Sequence, residues 1–174
     1  KVTGIFSEDG RITGVGCQGP EGEERYDCDI LISSMPLKDL VAGMKAGEAP
    51  VPEEISRISQ GLPYRDFVTV GVLVKSLSLK NRTKIKTINN QVPDCWIYVQ
   101  DTGVKMGRIQ IFNNWSPYLV KDVDHTVWIG LEYFCNEGDD FWNMSSRDCV
   151  KFAVKELLKM GVISSVKDVL DVHR

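Results

Sequence analysis

The sequence predicts an α+β fold: a mixed, largely antiparallel sheet with helices covering one face, preceded by a β-meander. Three observations predict it. The first 34 residues alternate short apolar runs with hairpin turn chemistry, the stretch from Arg65 to Phe134 holds strands whose two faces differ in composition, and an amphipathic helix pattern comes late, between Ser146 and Met160.

The meander reads as Val2 to Phe6, Arg11 to Cys17 and Glu24 to Ser33, divided by Glu8-Asp9-Gly10 and Gly19-Pro20-Glu21-Gly22. Asp-Gly supplies the positive φ that a tight hairpin needs, and Gly-Pro interrupts pairing. Pro36 then opens a short helix with Leu37, Leu40, Val41 and Met44 on one face, because proline fits only the first turn. Pro52 opens a second helix, in which Glu53 and Glu54 complement the dipole, Ile55 and Ile58 are expected to anchor the packing, and Gly61 marks the end.

From Arg65 the period changes to two. Val68, Val70, Val72 and Val74 fall on one side of the first strand, Phe67, Thr69, Gly71 and Leu73 on the other. Later strands repeat the asymmetry: Cys95, Ile97 and Val99 against Trp96, Tyr98 and Gln100; Ile109 and Ile111 against Arg108, Gln110 and Phe112; Val127, Ile129 and Leu131 against Trp128, Gly130, Glu132 and Phe134. In one sheet these would make an aliphatic face for helices to cover and a second face of aromatic rings, guanidinium, amide and carboxylate. Ligand walls have the second composition. The simpler reading is that this face packs on a neighbouring domain or pairs its own charges, Arg108 with Glu132.

The final helix, about Ser146 to Met160, has Ser145 as N-cap, Gly161 at its end and a stripe of Val150, Ala153, Val154, Leu157 and Leu158 to lie on the aliphatic face. Val166 to Val172 reads as a short helix or strand.

Composition narrows the function classes. With 43% hydrophobic and 26% charged residues the chain has the make-up of a globular protein. A net charge of −3 with interspersed signs gives no basic stripe, so nucleic acid is not an expected partner. No apolar run approaches the ~20 residues that span a bilayer, and no membrane segment is expected. Cys17, Cys28, Cys95, Cys135 and Cys149 form an odd set without a CxxC pair, which argues against a disulfide framework or zinc site and suits a reduced, cytoplasmic setting.

A literal GxGxxG occurs at Gly14, Gly16 and Gly19, but Pro20-Glu21-Gly22-Glu23-Glu24 follows it. A dinucleotide site needs a helix opening at those glycines, so that free N–H groups meet the pyrophosphate. A turn carrying three carboxylates would repel it. His125, with Asp122 and Asp124 beside it, reads as a solvated turn, and Glu137, Asp139 and Asp140 lack the ligand spacing of a calcium loop. No metal site and no catalytic residue is assigned.

The segment Tyr26-Asp27-Cys28-Asp29-Ile30-Leu31-Ile32-Ser33-Ser34-Met35-Pro36-Leu37, read with Ile5 to Val15, resembles FAD-dependent flavoproteins of the amine oxidase type, a group that includes protoporphyrinogen oxidases, phytoene desaturases and UDP-galactopyranose mutases. The likeness continues through Gly61 to Phe67, Cys95 to Val99, Arg108 to Pro117 and Gly130 to Cys135. The resemblance implies that residues 1–36 are the meander and last strand of an FAD-binding domain and that residues 37–174 form the substrate domain, whose sheet roofs the flavin cavity. It implies FAD in a longer parent protein, with the glycine fingerprint upstream and most of the cofactor site outside this chain. In these proteins a valine at the position of Val2 meets the adenine through its backbone, and the residues corresponding to Ser33, Ser34, Met35 and Pro36 pass near the dinucleotide.

The function so implied is a flavin-dependent oxidoreductase acting on a small molecule, the fragment alone being inactive. The alternative is a mutase-like isomerase of sugar nucleotides in surface polysaccharide synthesis. For that substrate Tyr64, Arg65, Trp96, Tyr98 and Arg108 are the candidate binding residues, since guanidinium forks match phosphate oxygens and rings stack on uracil. A second alternative is a non-catalytic interaction domain.

Overall fold

Asp9 and Gly10 both adopt positive φ, 48° and 76°, and join the first two strands in the two-residue turn that the strand twist favours. The computed structural model describes residues 1–174, and the chain divides into two compact units, Lys1–Tyr64 and Arg65–Arg174.

In the first unit, β1 (Val2–Glu8), β2 (Arg11–Gly19) and β3 (Gly22–Asp27) form an antiparallel meander. Helix α1 (Leu37–Ala46) packs on β1 around Ile5 and Val41, both buried. Its approach is close at the end: a Cβ on Gly47 would stand 2.1 Å from the carbonyl oxygen of Ile5. The next residue, Glu48, forms a bridge to Phe6.

Two elements differ from what the sequence predicts. The third strand was expected to reach Ser33 and stops at Asp27. Its last ladder partner is Gly14, and beyond one further hydrogen bond, from the Cys28 N–H to the Thr13 carbonyl, no strand lies alongside. Ile30 and Ile32, 81% and 92% exposed, therefore have no sheet to enter. In α2 (Glu53–Gln60) the anchors are not Ile55 and Ile58, which are about half exposed, but the buried Ser56 and Ser59. Lys45 Nζ donates to Ser56 Oγ at 2.9 Å, and Ser59 Oγ donates to the Ser56 carbonyl at 2.8 Å. Small hydroxyl residues let α2 lie close to α1 with their polar groups satisfied.

The second unit is a five-stranded sheet, antiparallel throughout, built from β4 (Asp66–Val74), β5 (Trp96–Tyr98), β6 (Arg108–Ile111), β7 (Val127–Cys135) and β8 (Val169–His173) in the order β5-β6-β7-β4-β8. Val70 pairs with Leu131, Val72 with Ile129, Ile109 with Leu131 and Ile97 with Ile109, so the aliphatic residues of four strands share one face. Short helices α3 (Phe112–Trp115) and α4 (Asp140–Asn143) follow β6 and β7.

Helix α5 (Ser146–Lys159) covers the aliphatic face with Cys149, Ala153 and Leu157, all fully buried, while Val150, Val154 and Leu158 flank them. Ser145 Oγ accepts the Asp148 N–H at 3.1 Å, and Gly161 at φ 68° turns the chain away. The buried Glu156 carboxylate accepts the Lys105 and Met106 N–H groups, fastening the loop before β6 to the helix. A 3-10 turn at Val166–Asp168 leads into β8 on the free edge of β4.

Candidate functional site

On the opposite face of the second unit's sheet the short helix α3 lies against β7 and brings Phe112 and Trp115 to the strands, leaving the residues beside it open. Strict alternation brings Arg108 of β6 opposite Glu132 of β7, Gln110 opposite Gly130, and Trp96 of β5 opposite Gln110. Phe67 of β4 pairs with Phe134 of β7. Phe67, Trp96, Phe112, Trp115 and Leu119 surround a depression of about 510 Å³ whose floor is Arg108, Gln110 and Glu132.

Glu132 is only 1% exposed. Gln110 Nε2 donates to its Oε1, and Arg108 Nη2 makes an ion contact with its Oε2. That contact is not an aligned hydrogen bond: Glu132 Oε2 and the buried Arg108 Nε both lack a hydrogen-bond partner. The guanidinium lies between two rings, 4.9 Å from the Trp96 centroid and 5.0 Å from that of Phe134, each a cation–π contact of about 0.5–2 kcal/mol. Trp115 meets Trp96 edge to face at 5.6 Å, and Phe67 meets Phe134 at 6.4 Å. Gly107 makes room for this arrangement, since a Cβ there would sit 2.5 Å from the Phe134 ring.

A buried ion pair gains little net stability, and unsatisfied polar atoms cost more. The sheet nevertheless carries both in a concave aromatic setting. The arrangement can stack a flat or apolar group on Trp96 and Trp115 and offer it amide and guanidinium hydrogen bonds. Its formal charge is balanced within the pair, so it lacks the surplus positive charge that a diphosphate would need.

Of the residues expected from sequence, Trp96 and Arg108 meet in this depression. Tyr98 is the cross-strand partner of Arg108, is 66% exposed and lines a neighbouring hollow with Arg82 and Leu79. Arg65 is exposed at the start of the unit. Gln110 and Glu132 complete the floor; alternation had put them on this face. Trp115 and Leu119 were missed, because they come from the one-turn helix α3 and the 3-10 turn after it, too short for a periodicity to show.

In the first unit, Val2 and Met35 line one concavity of about 770 Å³ with Asp39, Ala42, Gly43 and Ala46 of α1. Lys1 and Gln18 exchange both backbone hydrogen bonds, so the adjacent Val2 turns its own N–H and C=O to the unpaired side of edge strand β1. Ser33 and Ser34 are exposed; Ser33 Oγ accepts the Met35 N–H at 3.3 Å. The Pro36 carbonyl accepts from Asp39 and Leu40 as α1 begins. The Tyr64 hydroxyl accepts the Leu37 N–H at 2.8 Å, capping the helix end where a phosphate would otherwise find a donor. Gly14, Gly16 and Gly19 all lie on β2, and a strand rather than a helix follows their turn.

His125 is exposed, its Nδ1 2.8 Å from Asp122 Oδ1, and that hydrogen bond raises its pKa. No helix is long and apolar enough to cross a membrane.

No family model matches the chain, and no curated protein matches it. Solved structures do. A reduced UDP-galactopyranose mutase is similar over 99% of this chain and 32% of its own length, with a TM-score of 0.52 and 18% identity. An oxidoreductase from Methanosarcina mazei is similar over 99% of this chain and 36% of its own, with a TM-score of 0.50 and 11% identity. What they share with this chain is the fold. The chain spans about a third of the length of these structures.

Proposed function

We propose that this chain is the substrate-domain portion of an FAD-dependent oxidoreductase of the amine oxidase superfamily, part of a longer protein. The observation that carries the reading is the depression on the second face of the sheet, where Arg108, Gln110 and Glu132 form a polar floor beside Trp96 and Trp115. The fold shared with a UDP-galactopyranose mutase and an archaeal oxidoreductase supports it.

In this reading residues 1–36 belong to an FAD-binding domain, and the chain from residue 37 leads into the substrate domain. The residues of the first unit fit one end of the cofactor only. Val2 has free backbone groups at an open strand edge, and the concavity beside Met35 is floored by small residues, which suits a flat ring. Nothing there cradles phosphate, because the helix N-terminus is taken by Tyr64 and carries Asp39. When bound, the flavin would supply the hydride-accepting chemistry. This chain would exclude water from the aromatic side and orient the substrate through Arg108 and Gln110.

The mutase reading draws on the same fold. It asks Arg65, Tyr64, Trp96, Tyr98 and Arg108 to hold a sugar nucleotide, yet Arg108 is already neutralised by Glu132. The oxidoreductase reading asks less of these residues.

The test is a visible absorption spectrum of the purified parent protein, followed by a sugar-nucleotide isomerisation assay with and without dithionite. Bound flavin without isomerisation is the expected result. Isomerisation that requires dithionite would favour the mutase, and a flavin-free parent would leave an interaction domain as the reading.

A further inference from the structure

The second unit carries another cavity, which shares no residue with the Arg108 depression. It measures about 270 Å³ and lies where β4 ends and β7 begins, with the buried Leu77 and Val127 in its lining. Lys75, Lys80 and Lys86 line it, and no Asp or Glu does. None of the three ammonium groups has a carboxylate within salt-bridge distance. No acidic residue occurs in the segment between Lys75 and Asp94, and Asp94, Asp124 and Asp168 approach the cavity residues through their backbone carbonyls. Of the acids beyond the rim, Asp122 is engaged by His125.

The walls are held in place. Asn114 donates to the Val92 and Asp94 carbonyls at 2.8 and 2.9 Å and accepts from Gln91 at 3.2 Å. Asn113 donates to the Thr126 carbonyl and accepts the Trp128 N–H. Asn89 and Asn90, both at φ 55°, carry the chain around the rim in a left-handed conformation that asparagine adopts readily.

The cavity gathers three ammonium groups without a carboxylate partner, and an anion is the ligand that this local positive charge favours. Lysine binds phosphate as a point charge without needing a planar fork. We infer that this cavity is a binding site for a small phosphorylated molecule carrying one or two phosphate groups. Its volume lies just below the ~300–1,000 Å³ of typical ligand pockets, which suits a phosphate or diphosphate and excludes a whole dinucleotide. The inference is independent of the flavoenzyme reading, since the two sites share no residue.

The experiment is calorimetric titration of the full chain with inorganic phosphate and with pyrophosphate at physiological ionic strength. Wild type is compared with the triple variant Lys75→Gln, Lys80→Gln, Lys86→Gln, and with the double variant Arg82→Gln, Lys84→Gln, which removes charge from the same segment but touches no residue of the cavity. Saturable binding is expected, weakened on the order of tenfold per cavity lysine removed and by less than about twofold in the double variant. The single Lys80→Gln and Lys86→Gln variants, at exposed positions, each report a loss on the order of tenfold if the triple variant folds poorly. Absence of binding, or equal loss in the triple and double variants, overturns the inference. So does attachment to phosphatidylglycerol vesicles that pyrophosphate fails to displace, because the exposed Ile85 and Ile88 between these basic residues would then make the segment a membrane contact.

Discussion

Arg108 and Glu132 set a problem at the level of single residues. Replacing one partner of a buried pair strands the other charge, at a cost of about 3–5 kcal/mol, whereas replacing both with neutral groups of similar volume is nearly neutral. Arg108→Ala alone therefore lowers stability whether or not the guanidinium ever meets a substrate. The expected outcome in urea unfolding is a loss of about 3–5 kcal/mol for Arg108→Ala and about 1 kcal/mol or less for Arg108→Met combined with Glu132→Gln. In the parent protein, the double variant isolates the functional question: preserved stability with turnover reduced about ten- to a hundredfold assigns Arg108 to the substrate, and unchanged turnover assigns it to the sheet.

Tyr133 works at the level of elements, because it ties β7 to both helices on the covered face. Its ring stacks on Phe141 of α4 at 4.5 Å and meets Phe152 of α5 at 5.9 Å. The hydroxyl is buried beside the Glu156 carboxylate, without a hydrogen bond of good geometry. Burial first, and then the negative charge of Glu156, holds the phenol well above its usual value of 10.0. A folded-state pKa above the unfolded one leaves stability intact below about pH 10 and erodes it as pH rises further, by up to about 1.4 kcal/mol per pH unit. Tyr133→Phe should remove that part of the alkaline decline and be equal to or slightly more stable than wild type at pH 8. Urea unfolding of both proteins between pH 8 and 11 checks it; a parallel decline in the two would show that Tyr133 ionises freely.

The same covered face shows what was legible beforehand. Val68, Val70, Val72, Ile109, Ile129 and Leu131 declared their common side through a period of two, and the register bears that out. Ser145 and Gly161 marked the ends of α5 by their capping chemistry. Ile30 to Ser33 misled because a run of apolar residues specifies extended backbone but not a neighbouring strand to pair with. Ile55 and Ile58 misled because helix–helix spacing was decided by serine hydrogen bonds, which hydrophobic periodicity does not register. The Arg108 floor was legible as a face; Trp115 was not, since it enters on a helix of a single turn.

For the whole molecule, the division at Tyr64 and Arg65 means that the main hydrophobic core draws on the second unit alone, from Val68 to Val169. A fragment of residues 65–174 is therefore expected to unfold cooperatively in urea, with the midpoint of the corresponding transition in the full chain. A broad, non-cooperative loss of circular dichroism would show that the first unit is needed for that core. The pairing of β4 with β7 has one more consequence, for synthesis. Asp66 registers against Cys135, so the central ladder cannot close until the chain has emerged that far. At ribosomal rates of about 5–20 residues per second, Phe67–Val74 waits for its partner on the order of seconds. Those residues are uncharged and rich in β-branched side chains, the composition that stacks into intermolecular sheets. Asp66 and Lys75 stand at their two ends, opposite charges bracketing the segment where gatekeepers against self-association belong.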